Sequence, residues 1–100
     1  MNKIYSLLGL CMKSGNLVSG DDSTLLDIKR NRVHLVLIAE DASENTKKLF
    51  KDKCLYRNIS YYYFSTKYDL GEAIGKAPRA VIGIRDINFS NKIKELLKNN

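Results

Sequence analysis

Two stretches of this chain are apolar at consecutive positions, Leu35-Val36-Leu37-Ile38-Ala39 and Val81-Ile82-Gly83-Ile84. A strand with no polar face has to be covered on both sides, which predicts helices above and below one small sheet. Elsewhere the period is helical. Ile4, Leu7, Leu8 and Cys11 recur on one face and predict an amphipathic helix over residues 2 to about 14, stopped by Ser14-Gly15-Asn16. Leu17-Val18-Ser19 reads as a short strand. Gly20-Asp21-Asp22 supplies cap chemistry for a helix over residues 21 to about 31, which Asn31 can end in a left-handed turn.

The first buried strand covers residues 34 to 39. Ser43 caps a helix over about 44 to 56, with Leu49 and Phe50 facing the core. Ile59 to Phe64 is aromatic and β-prone. Ser65-Thr66 caps a short helix ended by Gly75, Pro78 lies in the next loop, and Ala80 to Arg85 forms the last strand. Asn88 or Ser90 caps a closing helix carrying Ile93, Leu96 and Leu97. Alternation of helices and strands in this way predicts an α/β fold, a three-layer α/β/α sandwich over a parallel or mixed sheet. Helix starts and strand ends then meet on one edge, where a polar ligand would sit.

Composition narrows the class. One hundred residues suit a single domain over 1–100, and 44% hydrophobic content is enough for a modest core. No run approaches the ~20 apolar residues of a membrane span, and no signal peptide is visible. The expectation is a cytoplasmic protein with no membrane partner, and nothing demands more than a monomer. Seventeen Lys plus Arg against eleven Asp plus Glu give +6, a balance that suits a polyanion such as nucleic acid.

Cys11 and Cys54 lie far apart in apolar surroundings and read as buried free thiols. Without a CxxC pair or a second ligand for the lone His34, neither zinc nor another metal is expected. No cofactor is expected. Asp21-Asp22 and Glu40-Asp41 read as cap and turn carboxylates rather than acid–base pairs, since no nucleophile, base and orienting group form a set. Lys47, Lys48, Lys51 and Lys53 read as a solvated helix face first and as an RNA or ribosome contact second. In Tyr61-Tyr62-Tyr63, alternation sends Tyr62 to the opposite side from its neighbours, so a base-stacking platform is the lesser reading. Gly71 to Lys76 lacks the phosphate-loop frame, and helix packing and capping account for its glycines.

The ordered set Ser14-Gly15-Asn16-Leu17-Val18-Ser19-Gly20, Ile28-Lys29-Arg30, Leu35 through Asp41, Asp69 through Lys76, and Ile84-Arg85-Asp86-Ile87-Asn88-Phe89 resembles the kink-turn RNA-binding ribosomal protein family, the L-seven-Ae superfamily. It looks most similar to the small bacterial ribosomal-protein-like members. The resemblance implies a four-stranded mixed sheet and a non-catalytic role in binding a bent RNA. It puts the contact at Gly20 to Leu26, Glu40 to Ala42 and Arg85 to Phe89. Gly20 would let RNA approach the backbone; Lys29, Arg30, Arg32 and Arg85 would meet phosphates; Ile87, beside Phe89, would pack on an extruded base.

The family's kink-turn binders carry Asn-Glu-x-x-Lys just after this glycine, and here Asp22, Ser23 and Leu26 stand in those places. The ionised Asp22 only accepts hydrogen bonds, Ser23 is short, and Leu26 has no charge. The expected partner is structured RNA, ribosomal RNA included. The alternative is a protein-interaction module on the same scaffold that has lost specific kink-turn recognition, with the exposed Leu26 meeting a protein partner.

Overall fold

The computed structural model describes residues 2–99. Five helices and four strands alternate along the chain: α1 (Lys3–Lys13), β1 (Leu17–Ser19), α2 (Asp21–Lys29), β2 (Leu35–Ile38), α3 (Glu44–Tyr56), β3 (Ser60–Tyr63), α4 (Lys67–Ala73), β4 (Val81–Ile84) and α5 (Ile87–Lys98). The strands form one mixed sheet in the order β1-β4-β2-β3. β4 runs antiparallel to both of its neighbours, and β2 pairs parallel to β3 through the α3 crossover. Helices α1, α4 and α5 pack together on one side, and α2 and α3 on the other. This is the three-layer sandwich that the alternation predicts, with the four-stranded mixed sheet that the resemblance implies.

The two apolar runs become the central strands β4 and β2, and every residue in them is buried. Gly83 serves close packing. A Cβ there would come within 2.8 Å of Val18 Cγ1, 2.9 Å of Val33 Cγ1 and 3.3 Å of Thr24 Cγ2, so the missing side chain lets α2 lie against β4. The helix stops follow local chemistry. Gly15, Asn31, Asn58 and Gly75 adopt positive φ just beyond α1, α2, α3 and α4. Ser43 and Thr66 cap α3 and α4, accepting from the amides of Thr46 and Asp69.

Three local expectations need correction. Leu49 does not face the core and is 40% exposed. The buried face of α3 is set by Phe50 and Cys54, one turn apart, and Leu49 is rotated about 100° from Phe50. The closing helix is capped by neither Asn88 nor Ser90. Asp86 caps it, with Oδ2 accepting from the Phe89 amide at 2.8 Å, and Ser90 lies buried inside the helix with Oγ unpaired. At α2, neither Asp21 nor Asp22 is the cap. Gly20 holds that position, and the two carboxylates lie in the first turn, where they complement the helix dipole.

Candidate nucleic-acid interface

Gly20 adopts φ 89° and ψ 158°, a conformation that L side chains rarely take. A Cβ built on it would meet nothing within 4 Å, so open space lies outside this backbone. Its amide donates to Val81 O at 3.1 Å, and its carbonyl accepts the first bond of α2 from Thr24 N, also at 3.1 Å. With glycine at the cap, no side chain closes the first turn. The amides there face outward with the positive end of the helix dipole behind them.

Other chain segments converge on this edge. Ala39 N donates to Ala80 O at 2.8 Å, and Glu40 N to Ser65 O at 2.8 Å. Asp41 Oδ1 accepts from Lys67 N at 2.9 Å, so this carboxylate ties the β2–α3 loop to the start of α4. Gly20, Asp22 and Ser23 therefore share an end of the sheet with Glu40 to Ala42. Leu26, one turn into α2, is 45% exposed.

The rest of the expected surface is elsewhere. Arg85 N donates to Asn16 O at 2.8 Å, at the start of β1, whereas Gly20 at the end of β1 meets Val81. Arg85 and Ile87 thus emerge from the opposite end of β4, about 13 Å from Val81 at strand rise. Lys29, Arg30 and Arg32 sit at the C-terminal end of α2, again about 13 Å from its first turn. These residues join Arg85 and not Gly20. Phe89 belongs to neither group: it is half-buried on the core and lines a shallow groove with Leu7 of α1. The sequence treats helix and strand positions as neighbours by number, and the antiparallel β1–β4 pairing puts their ends at opposite edges.

Arg79, absent from the expected set, stands at the Gly20 edge. Its Nε donates to Ser19 Oγ at 3.2 Å, and Nη1 to Ala77 O and Pro78 O at 3.0 and 3.2 Å. The guanidinium staples the loop before β4 to the residue before Gly20. Its signal in the sequence was its place just before the last apolar run. Gly71 seats the same loop, because a Cβ there would collide with the backbone of Ala77 and come within 2.9 Å of Pro78 Cα.

Charge is uneven between the two ends. Asp21, Asp22, Glu40 and Asp41 crowd the Gly20 edge against Lys67 and Arg79, with Lys76 farther along the loop. The helix α3 lysines are partly spoken for: Lys47 faces Glu44 at 3.5 Å and lies 5.9 Å from the Tyr63 ring centre, and Lys48 meets Asp52 at 3.0 Å. Tyr61 and Tyr63 contact edge-on at 6.0 Å on one face of the sheet. Both cysteines are buried and free. Desolvation, with the Asp86 charge adding to it, pushes the Cys11 thiol up to about 11, and burial pushes Cys54 up to about 12. Neither is a thiolate nucleophile at neutral pH. Among the described residues no group of three or more His, Cys, Asp or Glu could hold a metal ion, and no helix is long and apolar enough to cross a membrane.

Comparison with known proteins gives these features a family. The chain is 41% identical to an RNA-binding protein YlxQ of Enterococcus faecium, over 96% of this chain and 92% of that one. It is also 41% identical to an RNA-binding protein YlxQ of Bacillus subtilis, over 93% of each. A solved structure of a protein with unknown function from Bacillus halodurans C superposes with a TM-score of 0.94 at 36% identity, covering 98% of this chain and 99% of the other. The model of the ribosomal protein L7Ae/L30e/S12e/Gadd45 family matches residues 2–94, and the chain belongs to that family.

Proposed function

We propose that this protein is a non-catalytic binder of structured RNA that uses the edge around Gly20. The observation that carries the reading is the glycine-capped start of α2, with an open approach to its backbone and unclosed first-turn amides. The relatives named as RNA-binding proteins support the class of partner. Ribosomal RNA is within that class.

Recognition of the kink-turn type rests on backbone shape and on Arg79 more than on side-chain readers. Asp22 and Ser23 replace an amide and a carboxylate, and Leu26 replaces an ammonium. Each missing charge-assisted contact costs about 1.5–3 kcal/mol, roughly tenfold to more than a hundredfold in affinity. The carboxylates at this edge add repulsion toward phosphate. The protein therefore prefers a kink-turn over other RNA only weakly.

A titration of a kink-turn RNA, a mismatched control duplex and a transfer RNA at two salt concentrations tests this. Preference for the kink-turn at both salts is expected. Equal and steeply salt-dependent binding to all three would reduce recognition to charge. The exposed Leu26 favours the second reading, a protein partner on the same edge, and absence of binding to any of the RNAs is the result that would select it.

A further inference from the structure

Six of the seventeen basic side chains lie toward the end of the sheet away from Gly20. Lys29 and Arg30 end α2, Arg32 follows them, Arg57 ends α3, Arg85 follows β4, and Lys94 projects from α5. Between them lies a notch of about 340 Å³, with Asn31, His34, Arg57, Asn58, Ile87 and Lys94 among its walls. Arg57 is held in position there, its Nη1 donating to Asn31 Oδ1 at 3.2 Å. From the sharing of this notch and the flanking arginines we infer that it is a second RNA contact, which grips the phosphodiester backbone of a strand beyond the element held at Gly20.

Two ordinary explanations of these cations fall short in magnitude. The C-terminal ends of α2 and α3 meet here and each carries about half a negative charge, so together they call for about one positive side chain. The carboxylates at this end are already committed: Asp27 to Arg85 at 2.6 Å, and Asp86 to the Phe89 amide as the α5 cap. Glu95, two turns along α5, faces Lys92 at 3.7 Å. After both carboxylates and both dipoles are counted, about three of the six positive charges are unneutralised. They come from four elements: Arg57 and Lys94 line the notch, and Arg30 and Arg32 adjoin Asn31 in its wall, an arrangement that suits a polyanion backbone better than a solvated helix face does.

The inference rests on the reading of the protein as an RNA binder, and the two can fail separately. The two ends are about the length of α2 apart, so one RNA can reach both, and the contacts are told apart by which residues respond to it. The experiment compares wild type with Arg57→Gln/Lys94→Gln, and with Arg30→Gln/Arg32→Gln, whose exposed side chains make a folding defect easy to avoid. Each is titrated with kink-turn RNA at about 50 and about 200 mM salt, and amide chemical shifts of the wild type are followed with the same RNA.

Loss of two phosphate contacts should remove about tenfold of the affinity change between those salts. Shifts should appear both around Gly20 and at Asn31, His34 and Asn58. Shifts at Gly20 alone, with unchanged salt dependence in both variants, would overturn the second contact and leave the first standing. Shifts at the notch alone would sustain it and overturn the Gly20 site. No shift at either end would overturn both.

Discussion

Arg85 Nε donates to Asp27 Oδ2 across 2.6 Å, joining the first residue after β4 to the buried side of α2. The pair is unequal. The Asp27 side chain is 6% exposed and the Arg85 side chain 36%. Removing the arginine strands a carboxylate out of water, whereas removing the charge of the aspartate leaves a guanidinium that water can reach. Arg85→Ala should therefore cost about 2–3 kcal/mol and Asp27→Asn about 1 kcal/mol. Urea unfolding at neutral pH measures both, and the reverse order would show that the pair is not held as described.

Leu26 occupies the place of an ammonium in the kink-turn binders the chain resembles. Restoring it with Leu26→Lys adds a charge-assisted donor one turn into α2, without disturbing the core, because the leucine is 45% exposed. Kink-turn affinity should rise about tenfold, equivalent to about 1.4 kcal/mol. The control duplex should gain much less. Anisotropy titrations with both RNAs measure the difference, and an equal gain for both would reveal charge attraction alone.

Gly71 couples packing to the candidate edge. A methyl at this position has to displace the backbone of Ala77 and Pro78, and with it the loop that carries Arg79. Gly71→Ala should lower stability by about 1–3 kcal/mol. It should also weaken RNA binding more than Arg79→Lys, which leaves the loop seated. If Gly71→Ala binds RNA as wild type does while folded, the 77–79 loop is not part of the interface.

The two thiols make a pH prediction. In the folded state Cys11 is raised to about 11 and Cys54 to about 12 from an ordinary value of 9.0. Cys11 Sγ also donates to Asn16 O at 3.2 Å, a bond that only the protonated thiol can make. The unfolded chain loses these protons first as pH rises. The stability contributed by the buried thiols is complete below about pH 9 and is lost as pH climbs toward 11 and 12. A Cys11→Ala/Cys54→Ala variant, although less stable at neutral pH, should lose less between about pH 8 and about pH 10.5 than wild type does. An identical slope in both proteins would contradict the shifts.

Much of the architecture was legible because burial leaves a pattern in the chain. Residues apolar at every position mark the central strands, since β2 and β4 have helices on both faces. The glycine and asparagine stops worked for a similarly local reason, as positive φ is a property of single residues. Asp86 was missed as a cap because three candidates within five residues carry equivalent side chains. The choice between them depends on where β4 releases the chain.

The composition of the site was a different matter. The primary structure alone determined an alternating α/β chain, two strands buried on both faces, a glycine placed to open α2, and an excess of positive charge. Which of those charges are neighbours was decided only by the tertiary structure. Antiparallel pairing of β1 with β4 carries Arg85 away from Gly20 and brings Arg79 toward it, and the length of α2 separates its basic end from its glycine cap. Local periodicity is written into a segment by the surface it buries, but the meeting of segments depends on strand direction and register, which hydrogen bonding across the sheet sets.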